Sequence, residues 1–453
     1  MSNPIVFGKG QSAHFAGHGW PARFYGPSAC CGWIAEQLGG CLGWHNTEMP
    51  VRRRLLFVLF GGSALGTIGY LAAVTVTAIA AENITGSARW AGVPAAVATL
   101  GAAAGAGSLS RLMEQRGRRV GLIAGLVIAA VGSGISAYGV VVASIGVLVV
   151  GMFALGFGRA SYQLARYAAA DLQPPDRRAS AISWMVWAGT FGSILGPQLL
   201  APGERMGESL FGSGLSGPFV LAGVTFGLAG LAWFVLLRPD PTTLAHQADE
   251  PDRPAISNAE LLRRPNVWVA VAAMWFGQFV MVEVMAMTPV FLSSIGETLL
   301  IVGQVISLHT LGMFAFSPVT GWLTTKFGSR SMIAAGVAVL LSAAGMGWFG
   351  ADGNLAILYP ALFLLGLGWN FTFVAGSSLL IEGLAPGEGV QLQGWADAGV
   401  WVAGGVANVA AGVILDIAGF PTLNVVAGVL ALVPALALFG ERFARRPARV
   451  GVG

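Results

Sequence analysis

Apolar residues run through this chain in twelve long stretches separated by short polar breaks. A helix crossing a bilayer needs roughly 20 consecutive apolar residues. On that measure the pattern predicts spans over Leu55–Ala81, Trp90–Leu109, Val120–Tyr138, Val141–Ala168, Ala179–Leu200 and Pro218–Leu237. A connector rich in Pro, Asp and Arg follows over residues 238–266. Six more spans are predicted over Val267–Leu292, Leu299–Leu323, Ser331–Phe349, Ala356–Ile381, Gln393–Leu415 and Thr422–Phe439.

The polar breaks are not alike. Arg52, Arg53 and Arg54 precede span one, and Arg111, Arg116, Arg118 and Arg119 lie between spans two and three. Arg177 and Arg178, Arg263 and Arg264, Lys326 and Arg330, and Arg442, Arg445, Arg446 and Arg449 mark alternate breaks further along. All fall on one side if both termini share it, while the opposite loops hold little beyond Arg89 and Arg205. By the positive-inside rule both termini face the cytoplasm, and the chain is expected in a cell (inner) membrane.

Composition excludes the alternatives to a membrane body. Only 10% of residues are charged and mean hydropathy is +0.71, too little polarity to cover a water-facing surface. The 66 glycines suit close helix packing in lipid. The net charge of +4 comes from short clusters between spans, so no nucleic-acid partner is read from it. Cys30, Cys31 and Cys41 all lie in the N-terminal tail beside His14, His18 and His45, with no metal-ligand spacing. Residues 1–49 are expected to form a disordered tail, or a stretch upstream of a start at Met49.

The break after span two has a copy. Ser110-Arg111-Leu112-Met113-Glu114-Gln115-Arg116-Gly117-Arg118-Arg119 is matched by Gly321-Trp322-Leu323-Thr324-Thr325-Lys326-Phe327-Gly328-Ser329-Arg330, with Gly117 and Gly328 211 residues apart. Leu155-Gly156-Phe157-Gly158 in span four likewise echoes Leu365-Gly366-Leu367-Gly368 in span ten, and Asp171 and Glu382 close those spans 211 residues apart. The repeat predicts an all-α integral membrane fold of 12 transmembrane helices in two pseudo-symmetric six-helix bundles. Their expected bounds are residues 50–237 and 267–440, with a linker at 238–266 and a tail at 441–453. Arg118 or Arg119 is expected to reach Asp171, and Arg330 to reach Glu382, as exposed latches worth about 1 kcal/mol at most.

These two segments resemble the loop signature of the major facilitator superfamily, Gly-x-Leu-x-Asp-Arg-x-Gly-Arg-Arg, and its weaker copy between helices eight and nine. Leu112, Gly117, Arg118 and Arg119 match, while Ser110, Glu114 and Gln115 stand at the other three positions. In the copy Gly321, Leu323, Gly328 and Arg330 match, and Thr325 replaces the acid. The resemblance covers roughly Leu55 to Gly440. It implies alternating access about a midplane site between two rocking halves. Gly192-Ser193-Ile194-Leu195-Gly196-Pro197 in span five is similar to the core Gly-x-x-x-Gly-Pro of proton-coupled exporters in that superfamily. The downstream glycines are absent, with Leu200 and Ala201 near those places. The same six residues also read as small-residue packing beside a helix-loosening proline.

Polar side chains inside spans are costly and tend to line cavities or proton paths. Glu283 lies among apolar residues of span seven, a setting that suits protonation and release, and His309 in span eight is the expected relay partner. Arg159 in span four, placed one to two turns inside the cytoplasmic boundary, is expected to hold an anionic group of the substrate or to swing between substrate and acid, the alternative being that it snorkels to the interface. Tyr70, Gln278, Trp369 and Asn370 are cavity-lining candidates, with Trp184 or Trp187 beside them. Arg166 is expected to snorkel to the interface, and Asp397 to sit at a helix start where the helix dipole favours an acid.

No Ser/His/Asp, Cys/His or HExxH arrangement and no phosphate-binding GxxxxGK[ST] loop occurs in the spans. The reading is therefore no enzyme and no cofactor. The expected activity is secondary active transport of a small molecule by a monomer, with proton-coupled efflux as the leading direction. The alternatives are proton-coupled import of a metabolite or chelated metal, and a receptor that binds without transport.

Overall fold

A computed structural model describes residues 49–87, 90, 92–246 and 257–444. The Cys/His tail and the end of the C-terminal tail lie outside them. Every element among the described residues is a helix. In the first half the spans are α1 (Met49–Thr85), α2 (Val93–Arg116), α3 (Arg118–Val141), α4 (Ile145–Asp171), α5 (Arg178–Leu195) and α6 (Gly217–Leu236). In the second they are α7 (Pro265–Ser294), α8 (Leu299–Phe314, continued by Ser317–Phe327), α9 (Ser329–Phe349) and α10 (Leu355–Leu380). Val390–Ala431 then bends at Gly419 (φ 77°), which separates α11 (residues 390–418) from α12 (residues 420–431), continued by Val433–Ala444.

Among the described residues, 10 stretches are long and apolar enough to cross a membrane. The bent Val390–Arg442 stretch counts once among them. Arg178–Leu195 is not among them: it is only 18 residues long and carries Arg178, three serines and two tryptophans. Pro197 ends it early, and the chain passes through the short turn Pro197–Leu199 into a separate helix, Leu200–Phe211.

The basic break after span two is not a loop. α2 runs helically to Arg116 and α3 begins at Arg118, so the whole reversal rests on Gly117 at φ 90°. The copy turns the same way on Gly328 at φ 83°. A positive φ is open to glycine at little cost and strained for other residues. Asp240, from the connector after α6, caps α3: its Oδ2 accepts from the Arg119 backbone N–H at 2.9 Å. It stands where a Cβ on residue 117 would be, 2.5 Å away.

Both halves are built on one repeated seam. A Cβ on Gly101 of α2 would lie 2.0 Å from the Phe153 carbonyl oxygen of α4, and one on Gly156 would lie 2.2 Å from that of Ala98. The α8–α10 seam repeats this, with Gly312 2.4 Å from Phe363 O and Gly366 2.3 Å from His309 O. Gly156 and Gly366, the first glycines of the pairs in spans four and ten, thus bring two backbones into contact, which is how helices associate where lipid supplies no hydrophobic drive. Large apolar side chains point outward: Ile417 is 78% exposed and Val409 71%, surface that hydrocarbon covers.

Gly101→Leu is expected to lower stability by about 1–3 kcal/mol or more through overpacking against a backbone that cannot yield. Gly107→Leu, further along α2 where nothing lies within 4 Å, is expected to be neutral. Thermal unfolding of the two variants in detergent checks this.

Candidate functional site: a polar midplane level above a closed basic end

The helix registers set several polar residues at one depth. Arg159 lies about three turns, roughly 18 Å at 1.5 Å per residue, from the Asp171 end of α4. It is therefore at mid-membrane, deeper than the one to two turns expected from the sequence. Trp401 of α11, Trp369 of α10 and Gln278 of α7 stand about three to four turns from the ends of their helices on the same side.

Two polar–aromatic groups form at that level. Arg159 donates through Nη1 to the Tyr70 hydroxyl at 2.8 Å. Its guanidinium lies 4.7 Å from the centre of the Tyr70 ring and 4.2 Å from that of Trp401, which comes from the other half. Tyr162, about one turn along α4, meets Tyr70 edge-on at 6.4 Å. In the second half the Trp369 indole donates to Gln278 Oε1 at 2.7 Å, and Trp369 stacks on Phe373 with ring centres 4.8 Å apart. Tyr70, Arg159, Gln278 and Trp369 thus occupy the midplane, and Trp401 joins them. A lone tryptophan in an apolar helix carries no sign of its rotation, so the sequence gives no reason to single out Trp401.

Asn370 does not face this level. Its Nδ2 donates to Met313 O and Ser317 Oγ, each at 2.6 Å, and its Oδ1 accepts from Thr320 Oγ1 at 2.5 Å. It clamps α10 to α8, because one residue beyond Trp369 is about 100° around the helix. His309 is turned the same way: its Nδ1 is 2.9 Å from Leu362 O on the α8–α10 seam. Glu283 is fully buried in α7, and neither carboxyl oxygen has a hydrogen-bond partner among the described residues, His309 included. Trp184 and Trp187 pack with Phe60 and Phe191 between α1 and α5, Phe191 being exposed at the outer surface. Gly192 seats α5 on Thr67 of α1, where a Cβ would lie 2.3 Å from Thr67 Cγ2, and Gly196 seats it on Leu71.

Below the midplane level lies an ion pair between the halves. Arg166 of α4 grips Asp397 of α11 with both guanidinium arms, Nη1 at 2.9 Å from Oδ2 and Nη2 against Oδ1. Ser377 of α10 accepts from Arg166 Nε at 3.2 Å, and Tyr167 donates to Asp397 at 3.3 Å. Arg166 is 1% exposed and also lies over the Phe373 ring at 4.6 Å. The expectations of a snorkelling Arg166 and a cap-stabilised Asp397 are thus both overturned. Desolvation of either charge alone costs several kcal/mol, and the pair offsets that cost where snorkelling would have evaded it. Asp397 is about two turns inside α11, too deep for the helix dipole alone to hold it.

Below this pair the latch residues close the basic end. Arg118, not Arg119, meets Asp171, at 2.9 Å, with side chains only 1% and 7% exposed. The pair is buried, contrary to the exposed latch expected, because α11 lies over it: Arg118 Nη2 donates to Gln393 at 2.7 Å. Arg119 instead lies along α6, donating to Phe234 O at 2.5 Å. Glu114 accepts from Gln391, also on α11. In the second half Arg330 meets Glu382 at 2.9 Å as expected, both partly exposed, and makes a two-armed pair with buried Glu441 that the repeat does not foretell.

The first signature position explains itself here. A Cβ on Gly394 of α11 would lie 2.0 Å from Ser110 Oγ, and one on Gly321 would lie 2.0 Å from Ser183 Oγ of α5. Ser110 and Gly321 are 211 residues apart, as are Ser183 and Gly394. Each half therefore presses the same small residue against the same place on the other. Arg178 donating to Leu384 O at 2.7 Å, and Ser180 at 3.4 Å from Thr325, complete the closure.

Comparison with known proteins agrees with this architecture. The model of the Major Facilitator Superfamily matches residues 56–396. The chain belongs to that superfamily. It is 34% identical to the MFS-type transporter YdeG of Bacillus subtilis (strain 168) over 395 residues, covering 85% of this chain and 91% of that one. It is 28% identical to the riboflavin transporter RfnT of Brucella anthropi over 379 residues, covering 83% and 93%. The crystal structure of the human organic anion transporter MFSD10 superposes with a TM-score of 0.66 at 17% identity over 85% of this chain and 99% of that one, a likeness of fold. The chain is therefore a multi-pass membrane transporter of small molecules by family.

With Cys30, Cys31 and Cys41 replaced by serine, Ser180→Cys/Thr325→Cys is expected to form a disulfide across the closed basic end on mild oxidation. Asp397→Asn leaves Arg166 without its counter-charge, a loss of about 3–5 kcal/mol for a buried pair. It is expected to lower the cross-linked fraction several-fold, read by gel shift after cleavage in the connector.

Proposed function

We propose that this protein is a proton-coupled secondary transporter of a cytoplasmic membrane that exports a small ring-bearing molecule by alternating access. The observation carrying the reading is the closure of the basic end by contacts between the halves. The basic end is shut by two layers of cross-half contacts, Arg166–Asp397 above and Arg118–Gln393 below, beneath an aromatic, hydrogen-bonding level. The positive-inside rule makes the basic end cytoplasmic, with both termini on that side. Opening to the cytoplasm then requires α4 and α11 to part, with both members of the buried pair regaining water or other partners. Substrate bound against Phe373 and Trp369, which lie above Arg166, contributes to that exchange.

Glu283 carries the coupled proton. A buried carboxyl whose oxygens have no partner among the described residues is tolerable when protonated and costly when charged. Its protonation therefore favours this closed arrangement, and its ionisation favours one that admits water. His309 holds the α8–α10 seam and takes no direct part. Export is supported by the Gly192/Gly196/Pro197 segment. It seats α5 on Thr67, Ile68 and Leu71 and so fixes the stretch of α1 that presents Tyr70. The ring-bearing class is supported by the aromatic lining and by the 28% identity to a riboflavin transporter. The monomer is the functional unit, since each six-helix half finds its partner within the chain.

In proteoliposomes with an imposed pH gradient, riboflavin is the first probe. The wild type is expected to move it against its own gradient, and Glu283→Gln to lose gradient-driven flux while keeping exchange without a gradient. Unchanged gradient-driven flux in Glu283→Gln would remove the proton role. Flux with uptake polarity in oriented vesicles would replace export with import.

A further inference from the structure

Arg118, Arg166 and Arg330 each find a carboxylate. Arg159 finds none among the described residues, although it lies at the midplane. A full positive charge at that depth is expensive unless compensated. The protein supplies only partial compensation: one hydrogen bond to the Tyr70 hydroxyl and the faces of two aromatic rings. Cation–π contacts of this kind compensate a charge less well than a counter-ion does. A guanidinium presents a fork of five N–H donors, and the Tyr70 hydroxyl engages one of them. Arg159 is only half-buried, so part of its surface is left uncovered by the described residues.

A second donor waits beside it. Trp401 is 5% exposed, and its indole Nε1 is buried without a hydrogen-bond partner among the described residues. Buried indole N–H groups usually find an acceptor, and leaving that hydrogen bond unmade is costly. The guanidinium lies over this same indole. An unneutralised cation and an orphaned donor thus adjoin, one from each half. Acceptors and negative charge are what both lack.

We infer that Arg159, Tyr70 and Trp401 form an anion site at the centre of the transporter, and that its cargo is a small organic anion carrying a flat ring. The anionic group, a carboxylate, an acidic enol or the ionised imide of a flavin-like ring, accepts from the free edge of Arg159 and from Trp401 Nε1. The ring lies against Tyr70 and Tyr162. Because Arg159 and Trp401 belong to different halves, the anion bridges them, so binding draws the two halves together at the midplane. The inference rests on the transporter reading above and narrows its substrate class.

Equilibrium binding to the purified full chain in nanodiscs tests it, with 2-naphthoate, the neutral isostere 2-naphthamide and ringless acetate as probes. The wild type is expected to bind 2-naphthoate about tenfold or more tighter than 2-naphthamide, the effect of one charge-assisted hydrogen bond, and tighter than acetate. Arg159→Gln is expected to abolish the preference for the anion. Trp401→Phe keeps the ring and removes the N–H, and is expected to weaken 2-naphthoate severalfold while leaving 2-naphthamide unchanged. Unaltered thermal unfolding of both variants excludes misfolding. Equal affinity for 2-naphthoate and 2-naphthamide, no binding of 2-naphthoate, or a preference surviving Arg159→Gln overturns the site. Selective binding without flux of the bound anion in proteoliposomes leaves the site standing and overturns the transport reading instead.

Discussion

The ion pair between Arg166 and Asp397 governs the arrangement of the two halves. Each charge sits in a medium that penalises it by several kcal/mol when alone, and each is carried by a helix of a different half. Neither helix can move away without stranding a charge, so the halves stay together at this level until something else meets the demand. The surrounding groups refine that constraint. Ser377 and Tyr167 complete the hydrogen bonding, and Phe373 shields the guanidinium face. Such a pair contributes little net stability compared with an apolar replacement, but it makes partial opening unfavourable.

The same logic orders the residues above and below it. Below, Arg118 joins Asp171 within its own half and Gln393 across the divide, so the signature arginine reads the position of α11 and the end of α4 together. Above, Trp369 stacks on Phe373, and Phe373 lies over Arg166. Trp369 is therefore linked to the pair through Phe373. Arg159 stands one heptad from Arg166 on the same face of α4. The two arginines differ in what faces them from α11: a carboxylate for the one nearer the basic end, an indole for the one at the midplane. One helix thus carries a neutralised charge nearer its basic end and one without a carboxylate partner among the described residues at the midplane.

The internal repeat has a physical consequence beyond kinship. When two halves are related by an axis along the membrane normal, equivalent residues face one another only where they approach that axis. Arg166 and Ser377, equivalent by position, are hydrogen-bonded to each other there. Away from the axis equivalence gives paired but separate contacts, as at Ser110–Gly394 and Gly321–Ser183. Divergence shows in the latches. The arginine that meets the end of the fourth helix directly follows the turn glycine in the first half, and stands one residue further in the second. The second half compensates with Glu441.

Local chemistry made much of this molecule legible from its residues. Runs of apolar residues marked the spans, arginine clusters marked the breaks, and Gly117 and Gly328 marked the two reversals, because hydrophobic length and backbone freedom are properties of short segments. The repeat and the signature were readable for the same reason, and with them the family. Tyr70, Arg159, Gln278 and Trp369 stood out because a polar or aromatic side chain in an apolar helix is conspicuous wherever it points. Their partners were another matter. Arg166 and Asp397 are 231 residues apart, and nothing in either segment says that their helices face each other. Asn370 and Trp369 are neighbours in the chain and part company by about 100° of helix rotation. Arg118 rather than Arg119 meets Asp171 for the same reason, and His309 faces the seam rather than Glu283. The rotation of a helix about its axis is set by packing against other helices, so the direction of each polar side chain emerges only when the bundle is assembled.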